Sequence, residues 1–144
     1  MKRIAIVLLS ALLVVTAGSV GAEDGAYKVI VNPANPTTQL TRLKLGEIFL
    51  KKAPRWSDGI PVAPMEPSGK SAVRQRFTLE TYGKPVIAIS AYWQQMIFSG
   101  KGVPPPERSN DADIVAFVRE TSGAIGYVAA GTDVSGVRVV AITD

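Results

Sequence analysis

Short β-branched runs alternate along this chain with stretches whose apolar positions recur at helical spacing. Tyr27-Lys28-Val29-Ile30-Val31-Asn32 reads as a first strand, and Asn32-Pro33-Ala34-Asn35-Pro36 ends it, because two prolines impose an extended loop. After Thr37 and Thr38, Leu45, Ile48 and Phe49 predict a first helix that fades at Lys51-Lys52-Ala53-Pro54. Trp56-Ser57-Asp58-Gly59 has turn composition and leads into a second strand over Ile60 to Ala63. Pro61 and Pro64 make that strand short or an edge. From Ser68 to about Tyr82 the pattern is helical, with Val73 and Phe77 one turn apart, until Gly83-Lys84-Pro85 breaks it.

A second long helix follows over about Val86 to Phe98. It sets Ile89, Trp93, Met96 and Ile97 on one face, and that stripe reads as core. Ser99-Gly100-Lys101-Gly102 and Pro104-Pro105-Pro106 stop it. Ser109-Asn110-Asp111 supplies a cap and first-turn negative charge for another helix carrying Ile114, Val115, Phe117 and Val118, closed by Thr121-Ser122-Gly123. Ala124-Ile125-Gly126-Tyr127-Val128 is a short strand whose glycine permits close backbone approach, and Val137 to Ile142 is the last strand. Interleaved strands and helices predict an α/β layered sheet flanked by helices.

The first 22 residues stand apart. Lys2 and Arg3, the apolar run Ile4 to Val15, and the small residues Val20-Gly21-Ala22 have the order of a secretory signal peptide cleaved after Ala22. The reading is therefore a signal over 1–22 and one domain over 23–144, periplasmic or secreted, with no membrane span after signal removal. The net charge of +4 includes Lys2 and Arg3, so the remainder is weakly basic and gives no footprint for nucleic acid. Cysteine and histidine are both absent. Their absence removes disulfides, a lipid-bearing cysteine, Ser-His-Asp chemistry and the usual zinc ligands. No metal or cofactor is implied.

Candidate chemistry concentrates at Ser68-Gly69-Lys70-Ser71, a helix start with Arg74 one turn in. Unpaired first-turn N–H groups, the positive end of the helix dipole and two hydroxyls suit an oxyanion. The stretch is not a nucleotide-binding P-loop, because the required first glycine falls on Pro64, which has no N–H. Glu47, Glu66, Glu80, Glu107, Asp111, Asp113 and Glu120 show no spacing that selects a catalytic pair, and each sits where a solvated face, cap or loop would put it. Nothing in the sequence lowers the pKa of Lys70 to make it a nucleophile. No residue is assigned a catalytic role.

Several segments carry a family likeness in their order and spacing: Leu45-Gly46-Glu47-Ile48-Phe49, then Trp56-Ser57-Asp58-Gly59, then Arg74 with Phe77. Tyr92-Trp93, Ile97-Phe98-Ser99-Gly100-Lys101 and Gly123-Ala124-Ile125-Gly126-Tyr127-Val128 follow. With them the chain resembles the phosphate-binding components of bacterial ABC transporters, in the type II periplasmic binding-protein superfamily. The resemblance implies a non-enzymatic solute-binding protein with a phosphate-like oxyanion as ligand and an ABC permease as partner. It implies a Ser-Gly-Thr segment at the ligand: Ser68 and Gly69 match, Lys70 takes the threonine's place, and Ser71 offers a hydroxyl one residue later.

The length, about half that of full members of the family, implies a single lobe, so either the ligand is weakly held or another chain supplies the missing wall. The expected ligand-binding residues are Ser68, Gly69, Lys70, Ser71 and Arg74, with Asn32, Thr37 and Thr38 closing over the anion from the end of the first strand. The alternative is a non-catalytic interaction or sensor-docking module derived from such a lobe.

Overall fold

The β-branched run Tyr27–Val31 forms β1, a central strand of a six-stranded sheet in a computed structural model that describes residues 24–144. The expected signal peptide lies outside the described residues. The chain continues through β2 (Gln39–Thr41), α1 (Arg42–Phe49), β3 (Ala63–Pro67), α2 (Ala72–Tyr82), α3 (Val86–Phe98) and β4 (Glu107–Arg108). It ends with α4 (Asp111–Glu120), β5 (Ala124–Ala129) and β6 (Arg138–Thr143). The strand order is β2-β6-β1-β5-β3-β4.

The predicted α/β sheet flanked by helices is present, and two of its strands escape the sequence pattern. At three and two residues, β2 and β4 are too short to show a period. The second strand runs over Ala63–Pro67, displaced from the expected Ile60 to Ala63; Pro61 makes only an isolated bridge to Arg55. Pro64 and Pro67, which cannot donate to a ladder, are tolerated because only the short β4 lies beyond β3.

Strand direction positions everything that follows. β3 runs parallel to β5 and β4, whereas β1 runs antiparallel to β5, pairing Tyr27 with Ala129 and Val31 with Ile125. The carboxyl end of β1 therefore lies at the end of the sheet opposite the carboxyl ends of β3 and β5.

Alternation along the strands fills both faces. Val29, Val31, Ile125, Tyr127 and Val140 pack with Leu45, Ile48 and Phe49 of α1 and Phe77 of α2. Ile30, Met65 and Val128 pack on the other side against Ile114, Val115 and Val118 of α4. Phe77 stacks on Tyr127 with ring centroids 3.7 Å apart, and Phe49 meets both rings edge-on. Each such pair adds about 1 kcal/mol beyond its buried area. At Gly126 a Cβ would come within 2.8 Å of Ile114 Cγ2, so this glycine lets α4 lie close on β5.

One predicted core stripe is only half core. Ile89 and Trp93 of α3 are buried, Met96 is half-buried, and Ile97 is 50% exposed. The cause is topological: α3 packs against α2 rather than on the sheet, so only one narrow side of it is covered.

Candidate functional site

The segment Ser68–Arg74 joins the carboxyl end of β3 to α2. Its helix begins later than the pattern predicts: Ser68 to Ser71 is a turn closed by Ser71 N–H donating to Ser68 O at 3.0 Å, and Ser71 is the N-cap. The Ser71 hydroxyl accepts from Arg74 N–H at 3.0 Å, and Ser68 Oγ accepts from Lys70 N–H at 3.4 Å. Glu66 N–H and Ser68 N–H are taken by Pro106 O and Arg108 O. Among the described residues no acceptor meets the N–H groups of Gly69, Ala72 and Val73, as expected where a first helical turn has no preceding carbonyls. Lys70 is exposed, and Ser68, Gly69 and Ser71 are half-buried.

Arg74 occupies a different position from the one its spacing predicts. It is 5% exposed, and its guanidinium donates to Glu66 Oε2 at 2.9 Å, Glu107 Oε1 at 3.1 Å and Pro67 O at 3.0 Å. These contacts tie α2 to β3 and β4, and two carboxylates already answer its charge.

Glu66, expected on a solvated surface, is 4% exposed inside β3. Burial pushes its carboxyl up to about 7 against the opposing pull of Arg74, and Glu107 adds to the rise. The Tyr127 hydroxyl donates to Glu66 Oε1 at 3.4 Å; burial, and then the Glu66 charge, hold that phenol well above its usual range. A carboxylate set within the otherwise apolar Pro64-Met65-Glu66-Pro67 was the available signal for this cluster, since a lone charge in a strand needs a buried partner.

The other predicted residues are not brought to this site. β1 ends at Val31, so Asn32 lies at the opposite end of the sheet from the Ser68 turn, and Thr37 and Thr38 lead into β2 at the opposite edge, where Thr38 O accepts from Ala141 N–H of β6. The expectation that this loop closes over the Ser68 turn assumed parallel strands, and the antiparallel pairing of β1 reverses it. Asn32 is buried in a structural role. Its amide donates to Val118 O and Arg119 O at 3.0 Å each, and its carbonyl accepts from Ala34 N–H. Thr37 and Thr38 instead help line a cavity of about 500 Å³ with Lys44, Arg55, Trp56 and Ser57.

No family model and no curated protein matches the chain. Solved structures do. An ABC-type phosphate transport receptor from Vibrio cholerae matches with a TM-score of 0.65 at 20% identity over 84% of this chain and 48% of that one. The fold matches about half of that receptor. A possible phosphate binding protein from Planctomyces limnophilus matches with a TM-score of 0.63 at 24% identity, over 84% of this chain and 42% of that one. A Clostridium perfringens protein with bound phosphate, assigned as a phosphate ABC transporter substrate-binding protein, matches with a TM-score of 0.62 at 20% identity, over 83% of this chain and 46% of that one. The chain thus spans less than half the length of each of these proteins. Among the described residues no helix is long and apolar enough to cross a membrane.

Proposed function

We propose that this chain is an exported, non-enzymatic solute-binding lobe that holds a phosphate-like oxyanion at the start of α2. The observation that carries the reading is the set of Gly69, Ala72 and Val73 amides without an acceptor among the described residues, at the positive end of an 11-residue helix. Ser68 and Ser71 use their oxygens as acceptors from backbone N–H groups, which leaves each hydroxyl hydrogen to donate outward. Lys70 supplies an exposed positive charge. Arg74 acts as a positioning residue: held by Glu66, Glu107 and Pro67, it fixes the turn between β3 and α2.

The bound phosphate of the Clostridium perfringens protein supports the ligand class, and the N-terminal pattern of Lys2, Arg3 and Ile4 to Val15 supports export over 1–22 from a domain at 23–144. An ABC permease is the partner that the transport receptors suggest. Within this lobe the site faces water, with Lys70 exposed and Ser68, Gly69 and Ser71 half-buried, so charge-assisted bonds there are weak without a second wall.

Calorimetry with phosphate, sulfate and a neutral solute tests the proposal. Oxyanion heat that is cut severalfold by Lys70→Glu and unchanged by Thr38→Ala at the opposite edge of the sheet is the expected result. Absence of heat with either anion at millimolar concentration overturns it.

A further inference from the structure

The helix α3, Val-Ile-Ala-Ile-Ser-Ala-Tyr-Trp-Gln-Gln-Met-Ile-Phe, carries no charged residue, yet only Ile89 and Trp93 are buried. Ile87 is 78% exposed, Phe98 89% and Ile97 50%, and Leu79 of α2, which lines a cavity with Pro85 and Val86 at the start of α3, is exposed as well. A helix this apolar is ordinarily covered on most sides. Exposed bulky apolar residues at both ends of one uncharged helix leave a face that an interaction would cover.

The exposed positions have an order of their own. Ile87, Ala91, Gln94 and Phe98 are spaced by four, three and four residues, which places them in one line along the outer face. Reversed, the line keeps a bulky apolar residue at each end, and the small Ala91 exchanges places with the longer Gln94. Laid antiparallel on a copy of itself, Ile87 meets the partner's Phe98, and Ala91 meets the partner's Gln94, whose amide can bond across the axis. Ser90 and Gln95 fall into register in the same way. Such self-complementarity is what a two-fold interface requires.

We infer that α3 is the dimer interface of this protein, two copies pairing antiparallel across their outer faces. Two further observations favour a second copy over other occupants. No charge lies on the helix to repel its own image. The side chains left uncovered amount to on the order of 500 Å² per copy, so a pair reaches about the 1,000 Å² at which specific interfaces begin.

Sedimentation velocity over a micromolar concentration series tests the inference. The expected result is a monomer–dimer equilibrium that Phe98→Glu shifts at least tenfold toward monomer, with unchanged circular dichroism because Phe98 is a surface residue. The absence of cysteine permits a check on geometry. A mixture of Ile87→Cys and Phe98→Cys chains should cross-link to each other faster than either does to itself, since self-pairs stand about 16 Å apart across eleven residues of helix. A monomer at every concentration, a dimer indifferent to Phe98→Glu, or faster self-linking overturns the inference. So does a monomer that instead binds phosphatidylcholine vesicles through Phe98.

Discussion

Replacing Glu66 with glutamine should flatten the pH dependence of stability between pH 5 and pH 8. The folded carboxyl titrates at about 7, against about 4.5 for an ordinary glutamate. Between those values the folded state holds more protons than the unfolded state, so stability falls as pH rises. The contribution is fully present below about pH 4.5 and is lost as pH passes through 7. A difference of that size corresponds to about 3 kcal/mol. Glu66 is almost completely buried, so solvent does not screen the effect away. The window is clean because the chain has no histidine or cysteine side chain to titrate within it. Urea unfolding at half-unit pH steps is the assay. The parent protein should lose about 2–3 kcal/mol from pH 5 to pH 8, and Glu66→Gln should lose less than about 1. Rising stability in the parent over that range, or an identical slope in the variant, refutes the reasoning.

Other consequences follow from the same packing. Arg74→Met should cost about 3–5 kcal/mol at pH 8, where Glu66 loses the cation that supports its charge and must take up a proton to stay buried, and less at pH 5, where it is already protonated; denaturant curves at the two pH values read this. Gly123→Ala should destabilise by about 3 kcal/mol or more in thermal melts, because its Cβ would fall 1.8 Å from Pro61 O, a backbone atom that cannot swing aside. Asn32→Ala should cost about 1–3 kcal/mol by removing two bonds to the end of α4, yet leave phosphate heat unchanged in calorimetry. Phe77→Ala should cost about 3–5 kcal/mol in urea unfolding, since it empties the centre of the aromatic cluster.

The layout was legible where periodicity is strong and turn residues are decisive. Val29-Ile30-Val31 forms a buried strand, the α2 and α3 runs form helices and Gly126 allows close approach, as their spacing predicts, although α2 starts later and the α3 stripe is only half buried. Helix starts were less legible. Ser68 and Ser71 are equally good caps by residue type, and only the turn bond from Ser71 N–H to Ser68 O decides for Ser71. The partners of Arg74 were hidden because Glu107 is 33 residues away in sequence and meets it only through the pairing of β4 with β3. The grouping of Asn32, Thr37 and Thr38 with the Ser68 turn failed for a related reason. Strand direction is not written in hydrophobic pattern, and one antiparallel strand moves a loop to the opposite end of a sheet.

The most direct test of the α2 start as the anion site is a phosphate titration followed by two-dimensional amide NMR. The account predicts that the amides of Gly69, Ala72 and Val73 move first and furthest, while those of Thr37 and Thr38 stay in place. Shifts confined to the Thr37–Thr38 end, or none anywhere in the spectrum, would contradict it.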